Sequence, residues 1–560
     1  MSLFAVAILA CACFLLGYAW YGQILARWFR LDPARTTPAC ALNDGVDYVP
    51  AKAPLLLGQH FSAIAAAGPI VGPILGALWF GWLPTLLWIV LGAIFFGAVH
   101  DFAALISSVR HQASSIVELV HEHLGRRAHL LFMGFVWLSL IYVITAFADL
   151  TSSSFAEPAF GGAVASSSLL YLVAAVAMGL CLYKWRMPLW LATAIFLPVV
   201  GAIIWFGQLI PLTIPAAWPI RPQLAWNGVI LGYCFVASII PLWILLQPRG
   251  YLGGFFLYVT LAIGVIGLFL GGDRIQYPAF LGWTSQKGVP LFPLLFVTVA
   301  CGACSGFHGI VSSGTTSKQI AQESDCRLVG YGGMLLEGLV AVIALATVML
   351  LAPGDAATQS SPDRIYANGL SHFVERFGVD PTLARSFALL AFATFIYDTL
   401  DVATRLGRYV FQELAGWKGR WGMVGATIVT LALPAVSVSW TVRDVSGAVV
   451  PAWKLFWTLF GTSNQLLAAL TLLTITVWLK RTGRPWIVSA LPAAFMLVMT
   501  VWSLGLTIRP WLAELLAGHA ALNGIAAVAL ILLALAVLVL IEGVKAFARP
   551  SPSRSAETLM

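Results

Sequence analysis

The sequence has 560 residues, of which 60% are hydrophobic and only 10% are charged. A soluble domain carries about 25% charged residues, so this composition excludes a soluble enzyme, a disordered chain and a disulfide scaffold. The net charge of +8 is spread thinly with no basic face, so no nucleic-acid partner is expected. The eight cysteines are scattered, mostly within apolar runs, and predict neither disulfides nor a metal site. The chain is predicted to be a polytopic membrane protein that contacts the lipid bilayer.

Apolar segments of about 20 residues, the length that crosses the hydrocarbon core of a bilayer, recur along the whole chain. About fifteen transmembrane helices are predicted from them. Their approximate cores are residues 3–26, 59–79, 82–107, 129–150, 165–183, 188–208, 226–246, 252–271, 290–313, 330–352, 383–402, 421–438, 453–478, 485–508 and 520–544.

The Lys and Arg residues predict the orientation. With the N-terminus outside and the C-terminus in the cytoplasm, 22 of the 31 basic residues lie on the inside, as the positive-inside rule requires. We expect one membrane domain over residues 1–548 and a disordered tail over 549–560. The domain is divided into an N-terminal helix and cytoplasmic loop (1–58), a core (59–480) and C-terminal helices (481–548).

The second predicted span contains two Gly-Pro pairs, Gly68-Pro69 and Gly72-Pro73, about ten residues from its start. Each proline lacks a backbone donor, and each glycine lets the chain leave helical geometry. Inside a bilayer, such a break is tolerated only where it faces protein or an aqueous cavity. A kinked packing helix is the alternative. The two pairs together favour a discontinuous helix near mid-membrane.

The ninth predicted span becomes rich in glycine and polar residues at a similar depth, over the sequence CGACSGFHGIVSSGTT from Cys301 to Thr316. Close helix packing explains small residues. It explains poorly the imidazole of His308 and the run of hydroxyl groups around it. We therefore expect a second discontinuous helix that lines a cavity.

The two predicted breaks lie at matching depths in helices that run in opposite directions. This arrangement is typical of inverted-repeat transporters, in which the ends of half-helices bind substrate and ions. A helix N-terminus offers unpaired N–H groups and favours a carboxylate. The predicted fold is therefore all-α, with an inverted repeat and two discontinuous helices. Backbone groups are expected to bind substrate at Gly68, Gly72, Ser305 and Gly306.

Two amides, Asn464 and Gln465, lie near the middle of the thirteenth predicted span. A buried amide needs hydrogen-bond partners, which a neighbouring helix or a substrate can provide. Both alternatives stay open for these residues, and we include them among the candidate substrate contacts.

Ionisable residues inside membrane helices are candidates for function because burying them is unfavourable. His308 is the first candidate for proton coupling, since an imidazole titrates near neutral pH, and His60 is the second. A structural role is the alternative for each. Asp401 and Arg405 are four residues apart on one helical face, which favours a structural or gating ion pair over proton coupling. Glu337 is a further candidate.

Enzymatic motifs are absent from the sequence. His121-Glu122-His123 is one residue short of the metalloprotease pattern, so its two histidines do not share a helical face. It lies in an amphipathic segment that opens with the capping box formed by Ser115 and Glu118. There is no phosphate-binding loop. We therefore expect no catalytic residues, no cofactor and no metal, with the proton as coupling ion and Na⁺ as the alternative.

The sequence resembles the carbon starvation protein A (CstA) family of bacterial inner-membrane transporters. The resemblance covers about residues 20–480. It rests on eight segments: DGVDYVP (44–50), 61–73, GAVHDF (97–102), 301–303, 305–318, 330–332, 400–408 and 460–467.

This resemblance implies a LeuT-like fold of the amino acid–polyamine–organocation superfamily and a location in the bacterial inner membrane. It also implies the import of nutrients under carbon starvation. Members of the family are described as peptide transporters, and close relatives as proton-coupled pyruvate carriers. We therefore expect a secondary transporter of peptides or small carboxylates such as pyruvate, driven by protons. A nutrient sensor without net flux and, less favoured, a membrane-embedded enzyme are the alternatives. The oligomeric state stays open.

Overall fold

The computed structural model describes a chain that is almost entirely helical. The residues described are 2–44, 48–215, 217–241, 243–270, 272–286, 288–440, 442–443, 449–450, 452–518 and 524–549. Residues 45–47 of the DGVDYVP segment and the predicted tail after Arg549 lie outside them. Two short strands, Val442–Arg443 and Val449–Val450, pair antiparallel.

Twenty-one helices are numbered here in chain order, with π-helical turns included in the longer ones. They are α1 Leu3–Trp28, α2 Pro38–Ala41, α3 Ala53–Ile64, α4 Gly68–Phe80, α5 Trp82–Arg110, α6 Ile116–Leu124, α7 Arg126–Phe155, α8 Gly161–Tyr183, α9 Leu189–Leu209, α10 Pro222–Ile239, α11 Leu246–Leu270, α12 Leu291–Thr298, α13 Ala300–Ala303, α14 Gly306–Gly314, α15 Arg327–Met349, α16 Pro362–Glu375, α17 Pro381–Ala415, α18 Gly419–Ser439, α19 Ala452–Arg481, α20 Ile487–Leu516 and α21 Gly524–Ala548.

Twelve helices in the described part of the chain are long and apolar enough to cross a membrane, and a bent pair raises the number to 13. The prediction of about fifteen spans is therefore a little high. The two predicted spans that do not qualify are 226–246 and 290–313. The first corresponds to α10, whose 18 residues include Gln223 and Asn227 and are less apolar than the helices that qualify. The second is divided into three short helices.

The second span is broken, as predicted. Helix α3 ends at Ile64 and α4 begins at Gly68, with a bend of 47° between them. Pro69 lies in the first turn of α4, where its missing N–H has no helical acceptor to lose. The second Gly-Pro pair does not break the chain, because Pro73 lies inside α4. Only the first pair therefore marks the discontinuity.

The ninth span is also broken, as predicted. Helix α12 ends at Thr298, and the single turn of α13 ends at Ala303. Cys304 and Ser305 are extended, with φ/ψ of −164°/114° and −116°/126°, before α14 begins at Gly306. The prediction of two discontinuous helices in an all-α membrane protein is therefore confirmed.

The spanning helices differ strongly in how far neighbouring helices cover them. In α19 and α17, 94% and 89% of the most apolar window is buried within the bundle, against 17% in α9. Helices α17 and α19 therefore form the centre of the bundle, and α9 lies at its edge with apolar residues exposed. The broken helices pack against the central group, which places both breaks inside the protein.

Candidate functional site

The two breaks lie directly against each other. A Cβ atom added to Gly68, the first residue of α4, would overlap the side chain of Cys301 in α13. One added to Gly72 would lie 2.6 Å from the carbonyl oxygen of Thr298, where α12 ends. Only glycine allows the two backbones to approach so closely. Two of the candidate substrate-binding residues therefore lie where the second span contacts the ninth.

Asn464 of α19 forms hydrogen bonds to residues on both sides of the second break. Its Oδ1 accepts a hydrogen bond from the backbone N–H of Phe307 at 2.9 Å, and its Nδ2 donates to Sγ of Cys301 at 3.2 Å. The hydroxyl of Ser305 lies 3.2 Å from Oδ1. Asn464 thus acts as a side-chain cap at the start of α14, where the N–H groups of a helix otherwise lack partners. Ser305, Gly306 and Asn464 were predicted as candidate substrate contacts from two different spans, and the structure brings them together.

Gln465, the next residue of α19, contacts the helix before the break. Its Nε2 lies 3.4 Å from the carbonyl oxygen of Phe296 in α12. Its Oε1 is buried and has no hydrogen-bond partner among the residues described. A buried acceptor without a partner is unfavourable. This oxygen is the part of the predicted substrate contact that stays available to a donor group.

A buried group of two acids and two imidazoles, here the imidazole cluster, joins three helices. Its members are His100 and Asp101 of α5, His308 of α14 and Glu337 of α15. Nδ1 of His308 lies 2.8 Å from Oδ2 of Asp101, and Nε2 lies 3.0 Å from Oε2 of Glu337. The other oxygen of Asp101 lies 2.8 Å from Nδ1 of His100. His308 thus lies between two carboxylates, in the first turn of α14.

The net charge of the imidazole cluster depends on whether Glu337 carries a proton. With His308 protonated and both carboxylates ionised, the three groups sum to −1, and a proton on Glu337 makes the sum zero. All of these side chains are at most 1% exposed, so water screens their charges weakly. Oε1 of Glu337 has no hydrogen-bond partner within the described ranges. The arrangement can hold or release a proton at Glu337 while His308 keeps its position.

His60, in the half-helix α3, lies beside these groups without a direct contact to their acids. Its Nδ1 is 2.9 Å from Oγ1 of Thr316, and its Cδ2 lies 3.0 Å from the position of a Cβ added to Gly333. Its Nε2 is buried and has no hydrogen-bond partner in the described part of the chain. His60 therefore links the first half-helix to the segment that follows the second.

A second buried group, here the guanidinium cluster, consists of Tyr233, Arg249, Asp398 and Asp401. Arg249 contacts both acids, with Nη2 at 2.6 Å from Asp398 and Nη1 at 2.8 Å from Asp401. The hydroxyl of Tyr233 accepts from Arg249 and donates to Asp401, each at 2.7 Å. Oδ2 of Asp398 accepts from Ser62 of α3 at 3.1 Å. Two carboxylates and one guanidinium again sum to −1.

The prediction that Asp401 pairs with Arg405 is wrong, because each residue has a different partner. Asp401 pairs with Arg249, whereas Nη2 of Arg405 donates to the carbonyl oxygens of Ala237 and Ile240 at 2.6 and 2.7 Å. These carbonyls lie at the end of α10, where helical carbonyls lack N–H partners and a cation is favourable. The two residues share a helical face, but each has a better partner on another helix.

Three buried residues of these clusters were missed from the sequence. The predicted spans 226–246 and 252–271 leave Arg249 in the connection between them, whereas it lies in α11 and is 1% exposed. His100 and Asp101 lie near the end of an otherwise apolar span, and the presence of an acid there was the available signal. Their contacts join residues as far as 207 positions apart, which no local pattern encodes.

These features define a class of protein: a polytopic helical membrane protein in which two discontinuous helices meet beside buried charged groups. The chain belongs to the carbon starvation protein CstA family, whose profile matches residues 2–365 and 354–503.

Named relatives agree with this membership. The peptide transporter CstA of Helicobacter pylori is 33% identical, over 90% of this chain and 82% of the relative. The pyruvate/proton symporter BtsT of Escherichia coli is 32% identical, over 90% and 81%. The peptide transporter CstA of Bacillus subtilis is 31% identical, over 97% and 96%.

Similarity to solved structures is weaker. A manganese transporter of Eremococcus coleocola is 13% identical with a TM-score of 0.46, over 90% of this chain and 99% of that one. MhsT in complex with L-phenylalanine gives the same identity and score, over 88% and 99%.

Proposed function

We propose that the protein is a secondary active transporter that imports a peptide or a small carboxylate such as pyruvate together with a proton. The observation that carries the proposal is the position of His308 between the carboxylates of Asp101 and Glu337, with all three side chains buried. Such a group binds or releases one proton with little rearrangement. Because His308 lies in α14, a change in the protonation of this group acts directly on the helix that begins at the second break.

The substrate site is proposed at the contact between the two breaks, as a LeuT-like inverted repeat would place it. In this conformation Gly72 and Gly306 are packed against backbone, and Gly68 is packed against the side chain of Cys301. Asn464 occupies the start of α14. We infer that these contacts close the site and that opening separates them, so that a substrate carboxylate replaces Oδ1 of Asn464 at the N–H of Phe307. Gln465 then supplies the free Oε1.

The proposed setting is a bacterial inner membrane, with the N-terminus outside and the C-terminus in the cytoplasm. The names of the relatives support both substrate classes, since they include peptide transporters and a pyruvate/proton symporter. Both classes carry a carboxylate. Import of either would serve a cell that lacks preferred carbon sources, in accordance with the family name.

The test is uptake into proteoliposomes under an imposed pH gradient, with labelled pyruvate and a labelled dipeptide offered separately. With one proton per substrate, a gradient of one pH unit supports an accumulation ratio of up to about 10. Replacing H⁺ by a Na⁺ gradient distinguishes the alternative ion. If neither substrate accumulates under either gradient, while the purified protein still binds one of them, the protein acts as a sensor and the proposal fails.

The His308→Ala variant tests the residue at the centre of the proposal. We expect it to lose accumulation driven by the pH gradient and to keep the exchange of labelled for unlabelled substrate at constant pH. A pH profile of uptake that matches the wild-type protein would remove His308 from the coupling mechanism.

A further inference from the structure

A group of two histidines and one glutamate lies at the corner between α5 and α6, outside the two buried clusters. Nε2 of His123 is 3.0 Å from Nε2 of His111, and Oε1 of Glu122 is 3.7 Å from the same atom of His111. The three ligand atoms lie within 4.8 Å of one another. The pair Glu122-His123 belongs to the motif that sequence analysis set aside, and folding adds His111 to it.

The second ring nitrogen of His111 determines which tautomer the neutral imidazole adopts. Nδ1 lies 2.6 Å from the carbonyl oxygen of Ser107, and a carbonyl only accepts hydrogen bonds, so Nδ1 carries the proton. The neutral ring therefore presents a lone pair at Nε2, towards His123 and Glu122. Histidines that bind metals commonly donate their other N–H to a backbone carbonyl in this way.

The ring of His123 faces His111 from α6. The side chain of His123 is buried, and the centroids of the two rings lie 5.0 Å apart at an interplanar angle of 85°. The nearby charge of Arg481 opposes a cation, and the carboxylate of Glu122 offsets it.

We propose that His111, His123 and Glu122 form a binding site for a divalent transition metal of the Zn²⁺ class. Two imidazoles and one carboxylate, with a fourth position open to water, form a common zinc ligand set. A tetrahedral Zn²⁺ separates two imidazole nitrogens by about 3.3 Å, so the rings need to part by only a few tenths of an ångström. Glu122 is 56% exposed on its side chain, which leaves a path for the ion to enter.

The site would connect two structural parts of the protein. Helix α6 begins at Ile116, whose N–H donates to Oγ of Ser313 in α14 at 2.9 Å. Oγ of Ser108 in α5 donates to the carbonyl oxygen of the same serine at 3.3 Å. A metal at the corner therefore strengthens the attachment of α6 to α5 and to the end of the discontinuous helix.

The test uses the full-length protein in detergent, freed of metal with EDTA and titrated with Zn²⁺ by calorimetry and with Co²⁺ by visible absorption. We expect about one equivalent to bind, with a Co²⁺ spectrum typical of tetrahedral coordination. In His111→Ala and His123→Ala, the Zn²⁺ dissociation constant is expected to rise at least about tenfold. Glu122→Gln, at an exposed position, repeats the test in a variant whose core is untouched.

His121→Ala is the matched control, because His121 is exposed on the same helix and faces Glu118 instead. Its Zn²⁺ affinity and spectrum are expected to equal those of the wild-type protein. A second, more exposed group of Glu118, His129 and Glu413 is removed by Glu118→Gln, which should also leave the affinity unchanged. If the wild-type protein binds no Zn²⁺, or if His111→Ala and His123→Ala bind it equally well, the two imidazoles only share a hydrogen bond and the proposal is wrong. Equal binding by the wild-type protein and Glu122→Gln contradicts the proposed three-residue ligand set.

Discussion

Nε2 of His308 lies 3.0 Å from a carboxylate oxygen of Glu337, while the other ring nitrogen faces Asp101 at 2.8 Å. Both ring nitrogens of His308 therefore face a carboxylate. A proton in this group can be carried by the imidazole or by the carboxylate of Glu337 beside it. This relationship makes Glu337 as informative to change as His308 itself.

Glu337→Gln keeps the size of the side chain and removes its ability to release a proton. We expect the accumulation ratio under a gradient of one pH unit to fall from up to about 10 to about 1. Exchange at constant pH should persist, because the substrate contacts are unchanged. The exposed Glu514→Gln is the control and should accumulate substrate like the wild-type protein. Accumulation retained in Glu337→Gln would show that the coupling proton lies elsewhere.

Arg249→Met leaves the carboxylates of Asp398 and Asp401 buried without their cation. Removing one partner of a buried ion pair typically lowers the free energy of unfolding by about 3–5 kcal/mol. We expect a clear fall in the thermal unfolding midpoint of the purified protein.

Two controls accompany this change. The triple variant Arg249→Met, Asp398→Asn, Asp401→Asn removes all three charges and should recover much of the lost stability. Arg364→Met breaks an ion pair with Glu157 in which the arginine is 47% exposed, and it should change stability by about 1 kcal/mol or less. A triple variant no more stable than Arg249→Met would show that packing around the guanidinium, and not its charge, is decisive.

Asn464→Ala removes the side-chain cap of α14 and leaves the N–H of Phe307 buried without its acceptor. We expect a loss of about 1–2 kcal/mol in stability, measured by thermal unfolding. Asn368→Ala, at an exposed position, should have no comparable effect. Because the proposed opening requires Asn464 to leave Phe307, the variant should also alter the concentration of substrate that gives half-maximal uptake. A variant with unchanged stability and unchanged uptake would contradict both roles.

Stability should fall at mildly acidic pH because of His123, whose pKa is lowered to about 3 in the folded protein. The unfolded chain binds a proton near the ordinary histidine pKa of about 6.5, so acidification below that value favours the unfolded state. The stabilisation is complete above about pH 6.5 and is lost progressively as the pH falls towards 3. In EDTA, His123→Gln should lose less stability than the wild-type protein between pH 6.5 and 5, by up to about 1.4 kcal/mol per pH unit. If the stability of the two proteins falls equally with pH, His123 does not cause the loss and the prediction is wrong.

The sequence predicted the two breaks because their causes are local. Gly68-Pro69 and the glycine-rich segment around Ser305 disturb helical geometry wherever they occur, and the structure breaks at both. The pairing of Asp401 was predicted wrongly for the opposite reason. Spacing of four residues shows that Arg405 shares its helical face, but it carries no information on Arg249, which approaches from α11. Arg249 itself was placed in a loop because a charged residue between two apolar runs usually marks one.

His60 and Ser62 are two residues apart in α3, and they therefore point to different sides of this twelve-residue half-helix. His60 lies beside the imidazole cluster, and Ser62 donates to Asp398 of the guanidinium cluster. A rotation or shift of α3 about its hinge at 65–67 would change both environments in a single movement. We therefore expect a change of protonation at one cluster to alter the proton affinity of the other through α3.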